Sequence, residues 1–135
     1  MVYAVIDTNI FVSAFITKNA TASTRRVINC LFAGKIKPLY NDEIIEEYSE
    51  VLHRSKFHLA DKDIQRLLYF IQTNGIDSSR FPYDDDMPDE DDRVFYEVAL
   101  SEEDSFLVTG NLKHFPKTPK VVTAAKMMEI LDHEE

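Results

Sequence analysis

The residues best suited to chemistry are acids and amides placed where short apolar runs stop. Val2 to Ile6 is a charge-free, β-branched run that ends at Asp7-Thr8-Asn9, and Phe106 to Val108 ends at Thr109-Gly110-Asn111. In an open parallel sheet the functional crevice lies beyond the carboxyl ends of the strands, so these two triplets are the first candidates. Helical phase adds Glu47: on a helix from Asp42 to about Arg54 the apolar face centres near Tyr48, and Glu47 lies about 100° from it. Glu43, Glu46 and Glu50 lie roughly 140 to 160° away and point to solvent. Asp89 and Asp92 stand three apart at the start of a later helix, where free backbone N–H groups favour anions. Phase does not choose between Asp91 and Asp92. Carboxylates crowded together raise one another's pKa unless a cation neutralises them, and oxygen ligands without Cys or His suit Mg²⁺ or Mn²⁺ rather than Zn²⁺.

Each of these acids also has a plainer reading. Asp7 fits the N-cap of the segment after it, Glu47 a solvated helix flank, and one of the Asp89 to Asp92 acids a helix cap. Asp84 to Asp86 fit a solvated, self-repelling loop. Other chemistries find no support. With glycine only at 34, 75 and 110 there is no phosphate-binding glycine motif, no serine occupies a nucleophile elbow, and the four histidines form no ligand-spaced pair. Cys30, alone in the chain, sits at helical spacing with Val27, Ile28, Leu31 and Phe32 and reads as core.

The elements that must position these residues follow from periodicity. Beyond the first run, Lys37 to Tyr40, Ile76 to Tyr83, Ser105 to Thr109 and Val121-Val122 read as strands. Helical phase covers Arg25 to Ala33, stopped by Gly34; Asp42 to Arg54, capped by Asn41 or Asp42; Asp61 to Asn74, stopped by Gly75; Asp92 to Ser101; and Ala124 to Leu131. Short apolar strands alternating with helices predict an α/β fold: a three-layer α/β/α sandwich around a mostly parallel, about five-stranded sheet. The 135 residues, without repeats or linkers, predict one domain over 1–135.

A composition 44% hydrophobic and 29% charged excludes disorder and collagen-like repeats. The formal net charge of −9 argues at first against nucleic acid. However, seven of the 24 acids fall between Asp84 and Asp92, leaving 17 against 15 bases, so most of the excess is one local feature. Met1 to Ile16 lacks the basic start of a secretory signal and carries Asp7, and no segment reaches about 18 uninterrupted apolar residues. A cytoplasmic location and no membrane partner are the expectations.

In order along the chain, Val5-Ile6-Asp7-Thr8-Asn9-Ile10-Phe11-Val12-Ser13-Ala14, Glu46-Glu47-Tyr48-Ser49-Glu50-Val51-Leu52, Asp89-Glu90-Asp91-Asp92 with Val94, Phe95 and Ala99, and Leu107-Val108-Thr109-Gly110-Asn111 resemble the four acidic segments of PIN-domain nucleases. The resemblance spans residues 1 to about 125. It implies Asp7, Glu47 and Asp92 as catalytic, metal-binding acids, with Asn111 as a further ligand. Asp92 is preferred to Asp91 because the family's acid precedes the helical alanine, here Ala99, by seven positions. Asn111 stands where many members carry aspartate, which removes one negative charge and leaves the choice between one metal and two open. Thr8, Asn9, Asp89 and Thr109 are implied as supporting residues, and Arg54, Lys56, Lys113 and Lys120 are expected contacts to RNA. The activity implied is that of a Mg²⁺- or Mn²⁺-dependent endoribonuclease resembling the VapC-like toxins of bacterial toxin–antitoxin pairs, with RNA as substrate, a neutralising antitoxin protein as partner, and a homodimer as an inherited expectation. The alternatives are a catalytically weak PIN-like module binding RNA or protein and, less well supported, a phosphoacceptor receiver domain. The latter requires paired acids after the first strand, where Thr8-Asn9 stand here.

Overall fold

The structure, a computed structural model, describes residues 1–134; Glu135, the last residue of the expected domain, lies outside the described residues. Its strands are β1 (Val2–Ile6), β2 (Ile36–Tyr40), β3 (Ile76–Asp77), β4 (Ser105–Val108) and β5 (Val121–Val122). The helices are α1 (Thr8–Ile16), α2 (Ser23–Phe32), α3 (Asp42–Leu52), α4 (Asp61–Asn74), α5 (Arg93–Leu100) and α6 (Ala124–His133). The strands form one parallel sheet in the order β3-β2-β1-β4-β5. This is the expected three-layer α/β/α architecture, with every pairing parallel.

Central position explains the composition of β1. Successive residues of a strand face opposite sides, so a strand covered on both faces has no polar side. Ala4, Val5 and Ile6 are all 0–1% exposed. Helix α5 packs on β1 and β4, and α2 and α4 pack against β2.

Most boundaries shift by one or two residues from expectation, and the third strand is much shorter than expected. The third strand stops at Asp77 because its pairing with β2 ends at Tyr40, after which the chain leaves the sheet and the Phe81 N–H donates to the Glu97 carbonyl on α5. Gly75 ends α4 without a left-handed backbone; a Cβ there would lie 2.4 Å from the Pro38 carbonyl oxygen, so close approach of α4 to β2 requires the glycine. Gly34, by contrast, has φ +82° and makes the left-handed turn from α2 into β2. Cys30, expected in the core, is only partly buried and packs against the core's edge, and Phe32 is 44% exposed. Among the aromatics outside the central core, Tyr69 and Phe81 are exposed, and Phe70 and Tyr83 are half-buried against the core.

Candidate metal-binding cleft

Moving outward from the centre of the sheet, the chain goes β1 to β2 to β3 in one direction and β4 to β5 in the other. The order therefore reverses between β1 and β4, and the carboxyl ends of these two neighbours flank the crevice that such a reversal opens. Asp7 follows β1 and Thr109 follows β4. The Asp7 backbone N–H donates to the Val108 carbonyl at 2.9 Å, extending the ladder into the site.

Asp7 occupies the N-cap position of α1, yet its side chain makes no capping hydrogen bond. Its Oδ2 instead accepts from the Thr109 hydroxyl at 2.7 Å, and the Thr109 Oγ1 accepts from the Asn111 backbone N–H at 3.0 Å. One hydroxyl thus orients the carboxylate and shapes the turn after β4. Across the crevice the Asn9 Oδ1 accepts from the Gly110 N–H at 3.2 Å. This joins the two strand ends a second time.

Glu47 reaches the same place through its neighbour. Tyr48 is buried against Phe11 and Phe95, and its hydroxyl donates to the carbonyl of Ile6, the residue before Asp7. That bond fixes α3 against the end of β1, and Glu47, one position back, falls at the edge of the buried face. Asn41, rather than Asp42, caps this helix, accepting from the Ile44 N–H at 2.9 Å. Glu43, Glu46 and Glu50 are exposed, as the phase predicts. Asp89 caps a single 3₁₀ turn, Glu90–Asp92, by accepting from the Asp91 N–H at 3.0 Å. Arg93 holds the preceding acidic loop through the Tyr83 and Asp85 carbonyls and Glu90, while Asp84 to Asp86 remain exposed.

Asp7, Glu47, Asp89, Asp92 and Asn111 line one cleft of about 420 Å³, together with Thr8 and Asn9. Thr109 lies behind Asp7 and is fully buried. Asp91 faces an adjoining acidic groove with Glu43, Glu46 and Glu50, whereas Asp92 opens into the cleft, and Glu47 lines both. Val12, Ser13, Ile16, Val51 and Phe57 complete the wall. His114, one of the four histidines without ligand spacing in the sequence, also lines the cleft, with Nδ1 3.3 Å from the Asp92 Oδ2. The signal for it was its place: three residues after Asn111, in the loop that follows β4.

Charge inside the cleft is poorly compensated. Burial pushes the Asp92 carboxyl up, the charges of Asp7 and Asp89 push it further, and it reaches about 6 despite His114. Burial likewise raises Asp7, only partly offset by the Thr109 hydroxyl and the Thr8 backbone N–H. Burial and the charge of Glu50 raise Glu47, with Arg54 opposing. Carboxylates raised by desolvation and by one another favour a bound cation. The Thr8 hydroxyl, buried in the same wall, has no hydrogen-bond partner among the described residues. The donor set therefore fits a divalent ion.

The four expected basic contacts are dispersed. Arg54 pairs with Glu50 at 3.2 Å at the end of α3, and the Lys56 ammonium stands 5.1 Å from the ring centroid of Phe57, on the rim of the cleft. Lys113 opens onto a neighbouring cavity with Leu112, Pro116 and Lys117. Lys120 lies at the opposite end of β4, where its ammonium donates to the carbonyls of Glu102, Glu103 and Ser105. Its cation is used by the end of α5 rather than by the cleft. Among the described residues no Lys or Arg lines the cleft.

The comparison with known families agrees with this geometry: the model of the PIN domain matches residues 3–113. The chain belongs to the PIN-domain family. That match contains Asp7, Glu47, Asp89, Asp92 and Asn111, so every acid of the cleft lies within the PIN domain. No curated protein matches the chain closely enough to add a finer assignment. PIN domains are generally metal-dependent nucleases, and among the described residues no helix is long and apolar enough to cross a membrane.

Proposed function

We propose that this PIN domain, acting as one unit over the whole chain, is an endoribonuclease that uses Mg²⁺ or Mn²⁺ to hydrolyse RNA phosphodiester bonds, as the toxin of a toxin–antitoxin pair in the cytoplasm. The observation that carries the reading is the convergence of Asp7, Glu47, Asp89 and Asp92 on one cleft at the sheet's reversal point, without a Lys or Arg in its wall. A divalent ion there would polarise the scissile phosphate and lower the pKa of water. Asp7, Glu47 and Asp92 would hold it, Thr109 orients Asp7, and Asn111 presents an uncharged amide where a further acid would add negative charge. Lys56 and Arg54, next to the cleft residues Phe57 and Val51, and Lys113, between Asn111 and His114, would meet RNA flanking the cleft. A homodimer and a neutralising protein partner belong to the same proposal, supported by the resemblance to VapC-like toxins.

The test is cleavage of a mixed RNA with Mg²⁺, Mn²⁺ or EDTA, with wild type and Asp7→Asn purified identically. Cleavage that needs the metal and is lost in the variant supports the reading. Equal activity in both proteins sinks it as contamination. Silence from two folded proteins favours a second reading, a PIN-like module that binds RNA or protein, which the uncharged Asn111 and the dispersed bases support.

A further inference from the structure

We propose that the His114 imidazole is a nitrogen ligand of the cleft's divalent cation, and that it makes the site select a Mn²⁺- or Co²⁺-like ion over Mg²⁺. The proposal rests on the reading that this cleft binds a divalent ion. Asp89, Asp92 and His114 each offer a donor atom, and the three atoms lie within 4.8 Å of one another. The His114 Nδ1 is 3.3 Å from the Asp92 Oδ2. Adjacent ligands on an octahedral ion with bonds of about 2.1 Å are separated by about 3.0 Å, so the pair already stands near ligand spacing.

The backbone fixes the ring there. The 3₁₀ turn Leu112–His114 follows β4 after Thr109-Gly110-Asn111, the His114 N–H donates to the Asn111 carbonyl at 3.0 Å, and Phe115, 2% exposed, anchors the far side of the turn in the core. A hydrogen bond between His114 and Asp92 accounts for two of the three groups. It leaves the charge of Asp89, close enough to act on Asp92, without a cation. The buried, unpartnered Thr8 hydroxyl in the same wall is a second sign that the protein's own groups do not complete this site.

The choice of ion follows from ligand type. Mg²⁺ takes oxygen ligands and holds its waters tightly, whereas imidazole favours transition ions, whose affinities rise from Mn²⁺ through Co²⁺ to Ni²⁺. One nitrogen among carboxylates shifts the balance toward that series.

Pulsed electron paramagnetic resonance of the full chain loaded with Mn²⁺ reads the ligand directly, since a coordinated imidazole imposes ¹⁴N modulation on the echo. We expect the modulation in wild type, its loss in His114→Gln, and its survival when His53, His58 and His133 are all replaced by Gln. Calorimetric titration of His114→Gln should show the Mn²⁺:Mg²⁺ affinity ratio falling at least about tenfold. Bound Mn²⁺ without ¹⁴N modulation in wild type overturns the proposal and leaves the cation site standing, as does modulation that persists in His114→Gln. If His114→Gln does not fold, loss of the wild-type modulation in the triple variant overturns it. No Mn²⁺ binding to wild type overturns both the proposal and the cation site beneath it.

Discussion

Asp7 and Glu97 are equally hidden, each 7% exposed, yet their carboxyl groups move in opposite directions. At Glu97, on α5, burial pushes the carboxyl up, but the Tyr83 N–H at 2.9 Å and the Arg80 guanidinium at 2.7 Å outweigh it, and the group settles below its ordinary range. Arg80 is in turn held by Glu43 at 2.9 Å. At Asp7 burial prevails, and Asp89 adds to it. The difference is between a carboxylate completed by the protein and one left short of positive charge. A fold tolerates the second kind of group at a cost in stability, which is why such groups concentrate at sites that bind something.

The sharpest way to break this comparison is to neutralise each acid in turn. Glu97→Gln should lower the unfolding free energy by about 2 kcal/mol, because it leaves the Arg80 cation and the Tyr83 N–H poorly paired. Asp7→Asn should leave the metal-free protein as stable as wild type or more so, while abolishing metal-dependent cleavage. Urea unfolding of both variants in chelator reads the contrast, and equal losses would erase it.

Acidity sharpens it next. Asp7, Glu47 and Asp92 have folded pKa values above their unfolded ones, so near neutrality the folded state holds more protons and metal-free stability rises as pH falls. For Asp92, at about 6, that gain begins as pH falls through about 6 and builds down to roughly pH 4. Glu97 runs the other way: its contribution is present above its unfolded pKa and is lost only as pH falls through its lower folded value. The urea midpoint in chelator should therefore be higher at about pH 5.5 than at about pH 7.5, and Mn²⁺ should weaken or reverse that order, since protons and metal compete for Asp92.

The smallest effect concerns Thr109. Thr109→Val keeps the shape but removes the donor to Asp7 and the acceptor for Asn111. Calorimetry should show Mn²⁺ affinity about tenfold weaker, with about 1 kcal/mol lost in stability.

Much of this was legible before any coordinates, for local reasons. Apolar runs ending in Asp7 and Thr109 mark strand ends, and the phase of α3 separates Glu47 from Glu43, Glu46 and Glu50 because 100° per residue is a property of every helix. What stayed hidden depends on partners distant in sequence. Glu97 lies near the apolar stripe of Val94 and Val98, but its partner Arg80 is 17 positions away across a loop with no period. His114 has no histidine at ligand spacing in the sequence, and its company is two aspartates on the turn before α5. Lys120 shows the converse: its charge is plain in sequence, but only the structure reveals the three carbonyls that hold it.

The sheet order also sets when the cleft can exist. Asp7 and Thr109 are 102 positions apart, although Ile6 and Val108 are paired neighbours. The β1–β2–β3 half can form from the earlier part of the chain, but β1 keeps one open edge until β4 has been made, and closing a loop of that length is a slow, entropically costly step. A nascent chain ending before Gly110 carries Asp7, Glu47, Asp89 and Asp92 without the turn that brings Asn111 and His114 beside them. The cleft is thus completed late in synthesis, and a fragment released early lacks the side of it that Asn111 and His114 supply.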